Sequence, residues 1–272
     1  MSDSRVRRRK LLTCSLGWLV LWGLGSVWAF TWSARFTLSE ALHSPTLAPP
    51  FGTDAFGRNI LFLTLKASSS SLLLAFASVA IVFLTGLLLC ASVTLGPRWF
   101  RFTFKRGLEF FLALPSLLLA LSFAALRGPG WDTLIVALLL GTLPPFLRLI
   151  VARSEEILAQ DYVTASRSLG ATPVGLFVRH LLPGILSFAS VKIPNLLASA
   201  LMAEASLSFV GIGAPLGGES WGLLLAQGRD YLIEAPHIAI VSGIPLILTI
   251  LALQHLSEDF FQSLPNRDKL SR

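Results

Sequence analysis

The chain has 272 residues, 54% of them hydrophobic and only 14% charged, with a mean hydropathy of +0.71. An ordinary soluble domain carries about 25% charge, so these proportions exclude a surface that faces water on every side. The net charge of +7 is spread along the chain instead of gathered into one patch, which excludes a nucleic-acid-binding surface and fits attraction to anionic lipid.

In chain order, the apolar runs are long enough to cross a hydrocarbon core of about 30 Å as helices of about 20 residues. The first, Leu11 to Phe30, contains no charge. It follows RVRRRK as a signal peptide would, but it is longer than a signal h-region and no Ala-x-Ala-like site follows, so it reads as a retained span. The second run is Leu72 to Leu95 and the third Phe110 to Leu126. The fourth, Thr133 to about Val151, holds Pro144 and Pro145, which predict a kink or an early end to its regular part. The fifth, Gly184 to Val210, contains Lys192, Pro194 and Glu204, and the sixth is Ile238 to Leu256.

Six spans put both termini on one face. That face collects 16 Lys and Arg, the other 5, and Lys192 lies inside a span. Basic residues near short loops are held on the cytoplasmic side, so both termini are expected there. The organisation is then a basic tail over 1–10, a first span over 11–30 and an extracytoplasmic segment over 31–71. A five-helix core over 72–256 carries a cytoplasmic loop over 152–183, and a second cytoplasmic tail occupies 257–272.

Within that loop, DYVTASRSLGATPVGLFVRHLLP is punctuated unlike its surroundings. Asp161 is expected to cap a short helix over Tyr162 to Leu169, and Gly170 to supply the left-handed residue that ends it. Thr172 before Pro173 predicts a second start, with the following helix running to Leu182 and stopping at Pro183 and Gly184. Ala165, Ser166, Ser168, Gly170 and Ala171 are all small, so the bend can press closely against another surface. The loop is much longer than the 2 to 8 residues usual between bundle helices, and it is ordered by caps, which sets it apart from a plain solvated connector.

TASRSLGATPVGLFVRHLLP resembles the cytoplasmic loop of the membrane subunits of bacterial ABC importers, with Ala165, Gly170, Leu182 and Pro183 at the family's spacing. FGTDAFGRNIL and AEASLSFVGIGAPLGGESWGLLLAQGRDYL are similar to segments of the peptide and nickel branch, particularly its second permease subunit. The resemblance implies an all-α, polytopic type I importer permease with six membrane helices in the bacterial cytoplasmic membrane. It implies peptide, nickel or other small-solute transport through a path shared with a homologous permease subunit. It also implies two ABC ATPase subunits docked on the loop through Ala165, Ser166, Leu169, Gly170 and Ala171, and an extracytoplasmic substrate-binding protein. No cofactor is expected on this chain; ATP and magnesium belong to the ATPase subunits, and the chain is not expected to be an enzyme.

Thr164 stands where the family usually has Glu, Ser166 where it has Ala, and His180 at a position usually apolar. With Asp161 as cap, Glu at 164 would complete a capping box; its lack costs about 1 kcal/mol of local helix stability. Asn59 replaces a usual Asp, LTLKASSSSL lacks a usual Arg, and the C-terminal tail keeps only its general length.

Two charged residues inside spans, Glu204 and Lys192, are candidates for the translocation path, because buried ionisable groups in membranes are costly. The competing reading is that water or a helix partner satisfies Glu204 a turn or two below the outer surface, and that Lys192 snorkels; the two lie too far apart along one helix to pair. His43, His180, His237 and His255 have no ligand spacing, and the chain lacks a Gly-x4-Gly-Lys-Ser/Thr phosphate loop. Cys14 and Cys90 read as small apolar residues, and the glycines of GIGAPLGGESWG as a turn at the outer mouth. An ion-gradient-driven secondary transporter is the alternative, and it predicts inverted halves and several midplane charges. A membrane-embedded enzyme would require clustered His, Asp or Glu at one depth.

Overall fold

The computed structural model describes residues 2–30, 38–46, 50–213 and 218–263. Ten α-helices carry nearly all of these: α1 (Ser2–Phe30), α2 (Ile60–Leu95), α3 (Arg98–Ala113), α4 (Ser116–Arg127), α5 (Trp131–Leu158), α6 (Asp161–Ser168), α7 (Pro173–Leu176), α8 (Leu182–Phe209), α9 (Trp221–Asp230) and α10 (His237–Ser263). Leu12–Ala29, Ile60–Leu95, Trp131–Leu158, Pro173–Phe209 and His237–Phe260 are each long and apolar enough to cross a membrane, and α3 with α4 makes a sixth span if the bent pair counts as one.

The third run is therefore broken. Leu114 is extended, with ψ of 136°, ahead of Pro115, which cannot donate to the helix before it. The axis turns by 85° there, and α4 alone, at about 18 Å, is too short to cross a bilayer.

Elsewhere the helices are longer than the apolar runs. Helix α2 starts at Ile60, not Leu72, because Asn59 caps it by accepting from the Phe62 amide at 3.3 Å, and in its first turns Ser68 and Ser69 donate to the Leu65 and Lys66 carbonyls and Ser71 to Glu204. Helix α5 continues through Pro144 and Pro145 to Leu158 without the expected early end. Leu138 and Thr142 before the prolines and Phe146, Leu147, Ile150 and Val151 after them are buried, and packing against neighbours holds such helices together in lipid. Gly86 of α2 makes room for that packing: a Cβ there would lie 2.7 Å from the Phe146 ring.

The core is formed where α2, α5 and α8 meet, with α10 and then α1 outside α8 and α2. Trp18 of α1 donates to Thr249 of α10 at 3.1 Å and stacks on Trp22, which touches the Trp221 ring of α9. Residues 31–37, 47–49 and 264–272, which belong to the expected outer segment and C-terminal tail, and residues 214–217 of the expected glycine turn, lie outside the described residues.

Candidate functional sites in the bent loop and the membrane interior

The bend between α6 and α7 is built by backbone hydrogen bonds. Gly170 has φ of +88°; its amide donates to the Arg167 carbonyl at 3.0 Å, and the Ala171 amide donates to the Ser166 carbonyl at 3.2 Å. This pair of bonds around a left-handed glycine is a Schellman motif. Thr172 then caps α7 by accepting from the Gly175 amide at 3.1 Å, with Pro173 in the first turn.

Two expectations for this segment are corrected. The N-cap of α6 is Gln160, whose side chain makes no capping bond, and Asp161 is already in the first turn, where its charge still complements the helix N-terminus. The second helix does not stop at Pro183. It passes through a π-helical turn, Phe177–Leu181, in which the Leu182 amide donates to the Phe177 carbonyl, and continues as α8. The widened turn makes room for Pro183, which enters where an amide donor is not needed. Pro173–Phe209 is thus one 37-residue helical rod, with Gly184 close against Ile157 of α5.

Val163, Leu176, Phe177 and Leu181 are buried and anchor the elbow to the bundle. Its tip points outward: Ala165 and Gly170 are exposed, Ser166 and Ala171 half-buried, and Leu169 is 89% exposed. Tyr162, Val174 and Val178 add exposed apolar area, and the Tyr162 ring lies 5.6 Å from that of His180.

Glu204 sits near the opposite end of α8 and is fully buried. Its carboxylate accepts from Ser208 at 2.7 Å and from Ser71 of α2 at 3.1 Å. The Ser71 hydroxyl in turn accepts from the Trp221 amide at 3.1 Å, and the Trp221 indole donates to the Thr64 carbonyl at 3.1 Å. One carboxylate therefore ties three helices, α2, α8 and the start of α9. Glycine permits the approach: a Cβ on Gly222 would lie 2.7 Å from Ala205 and from Ser208. Glu204 is thus hydrogen-bonded between helices and enclosed by protein.

Next to this junction the segment before α2 is pinned. Asp54 accepts from the Phe56 and Arg58 amides at 2.9 and 2.8 Å, which closes a turn on its own backbone, and pairs with the Arg58 guanidinium at 2.7 Å. Glu219, just before α9, bridges Arg58 at 3.6 Å and Lys66 at 3.1 Å.

Lys192 is elsewhere, on the wall of a cavity of ≈ 250 Å³ between α4, α5 and α8, shared with Ser116, Thr142, Asn195 and Ser199. Pro145 also lines it; having no N–H, it leaves the Gly141 carbonyl on the same wall without its usual helical donor. The structure keeps Lys192 and Glu204 apart, and Glu204 does not line this cavity. Sequence reasoning missed Ser71, Ser208, Trp221 and Gly222; the available signal was a run of four serines, Ser68 to Ser71, at the head of an apolar helix.

Comparison with known proteins agrees with this architecture. A family described as binding-protein-dependent transport system inner membrane component matches residues 83–261. A Brucella abortus protein named as a peptide transport system permease is 33% identical over 229 residues, covering 83% of this chain and 76% of that one. The di/tripeptide transport system permease DppC of Pseudomonas aeruginosa is 32% identical over 238 residues, covering 84% and 78%. The glutathione transport system permease GsiD of Escherichia coli is 28% identical over 234 residues, covering 86% and 77%. A solved inward-facing structure of the MetNI methionine ABC transporter superposes with a TM-score of 0.58 at 20% identity, over 75% of this chain and 97% of that chain, a likeness of fold.

Proposed function

This chain belongs to the family of binding-protein-dependent transport system inner membrane components, and from that premise we propose a peptide importer in which its elbow receives the push of separate ATPase subunits. It is a membrane permease subunit of an ABC importer, with the type I permease fold, and not the catalytic subunit. A homologous permease completes the pathway, two ATPases dock on the loop through Ala165, Ser166, Leu169, Gly170 and Ala171, and an extracytoplasmic protein delivers the solute. ATP and magnesium are held by the ATPases, and both termini lie in the cytoplasm.

The observation that carries this reading is the unbroken rod from Pro173 to Phe209. At 1.5 Å per residue it is about 55 Å long; it begins directly after the exposed, glycine-bent tip and ends as a helix that lines an interior cavity. A force on Leu169 or Ala171 reaches the cavity wall through the hydrogen-bonded bend at Gly170 and the capped start of the rod at Thr172. Peptides are the solute favoured by the names of the relatives; nickel is the other solute of the branch. The test is uptake of radiolabelled alanyl-alanine and of 63Ni by cells with and without this chain, its partner genes being intact. Loss of dipeptide uptake alone is expected. Unchanged dipeptide uptake would reject the peptide assignment.

A further inference from the structure

Lipid can cover the apolar faces of α8, but one face is not apolar. Lys192, Asn195 and Ser199 follow one another at steps of three and four residues, which puts them on one side of the helix. All three line the ≈ 250 Å³ cavity together with Ser116 of α4 and Thr142 of α5. Asn195 and Ser199 are exposed within a membrane-crossing helix, an arrangement that calls for water, a polar solute or the facing permease subunit, because hydrocarbon would leave their hydrogen-bonding groups unmet. The Lys192 ammonium stands 5.8 Å over the Phe188 ring, one turn nearer the elbow, a contact that helps orient the side chain. Among the residues lining the cavity, Lys192 carries the one formal charge.

We propose that Lys192, Asn195 and Ser199 form a stripe that reads an anionic group on the solute, favouring solutes with a free carboxylate. Every unmodified peptide carries that group at neutral pH. Lys192 supplies the charge, and the Asn195 amide and Ser199 hydroxyl supply hydrogen bonds as the carboxylate moves along α8. The identity of the solute rests on the peptide import proposed above; the charge preference of the stripe does not.

The test uses the assembled importer in native membranes, with Cys14→Ser and Cys90→Ser as background and Ser199→Cys as reporter. Its reaction rates with an anionic thiol reagent, methanethiosulfonate ethylsulfonate, and a cationic one, the trimethylammonium analogue, are each divided by the rate with free thiol in solution. Ser199 lies about 10 Å along the helix from Lys192. At that distance in water the opposite effects on anion and cation compound to roughly four-fold in favour of the anion. Lys192→Gln is expected to abolish this preference and Lys192→Arg to keep it, with Asn195→Cys as a second reporter should Ser199→Cys assemble poorly. Cysteines unreactive to both reagents with and without ATP, or a preference unaltered by Lys192→Gln, would overturn the proposal.

Uptake of alanyl-alanine and of alanyl-alaninamide separates the two claims. A several-fold slowing of the free dipeptide by Lys192→Gln, with the amide unaffected, supports both. A charge preference that depends on Lys192 in an importer that does not move alanyl-alanine keeps the stripe and removes the peptide. Equal dipeptide uptake by both forms, with equal reagent ratios, removes the stripe and keeps the peptide.

Discussion

Gly170 is the position where a single atom tests the elbow. Its φ of +88° costs an L-residue about 1–2 kcal/mol, while a Cβ placed on it meets nothing within 4 Å. Substitution therefore acts through backbone conformation and not through a clash. Gly170→Ala should lower the population of the Schellman bend by a factor of about 5–30. Gly170→Asn should do less, since Asn tolerates the left-handed region, and Gly170→Val more, because β-branching makes that region an outlier. The assay measures the ATPase subunits retained per permease on purification, dipeptide uptake, and the amount of chain in the membrane. The expected order is Gly, Asn, Ala, Val, with membrane insertion constant. Asn is bulkier than Ala, so loss that follows side-chain size would mean that the surface at 170 matters and the bend does not. Full association and uptake by the Val variant would refute the coupling argument altogether.

Other outcomes follow from the same geometry. With both native cysteines replaced, Ile233→Cys should react from outside the cell with an impermeant thiol reagent and Ser168→Cys should not; reversed labelling would invert the topology. Both positions are exposed. Glu204→Ala leaves the Ser71 and Ser208 hydroxyls without their acceptor and should cost about 2–4 kcal/mol. Glu204→Gln keeps an acceptor and should cost less. Thermal unfolding of the solubilised complex, followed by size-exclusion chromatography, measures both, and equal losses would dismiss the carboxylate junction.

Much of the architecture was legible without coordinates. Runs of about 20 apolar residues have few options in lipid besides helix, and Gly170 and the Thr172-Pro173 pair announce a bend because few residues suit those backbone angles. Where reading failed, the missing term was a neighbour. Pro144, Pro145 and Pro183 look like breaks in isolation, yet packing against α2 and α4, and a π-turn ahead of Pro183, carry the helices through.

The sequence alone determined that this protein is a bundle of membrane-length helices with a capped elbow between the fourth and fifth spans, because hydropathy, glycine and proline act locally. Tertiary structure decided the rest. It turned Glu204 into a clamp between α2, α8 and α9 and turned Lys192 toward a cavity, although both are charges on the same helix. A charge in a span demands a partner or water, but which of these it meets depends on residues as distant in sequence as Ser71, brought alongside only when the helices pack.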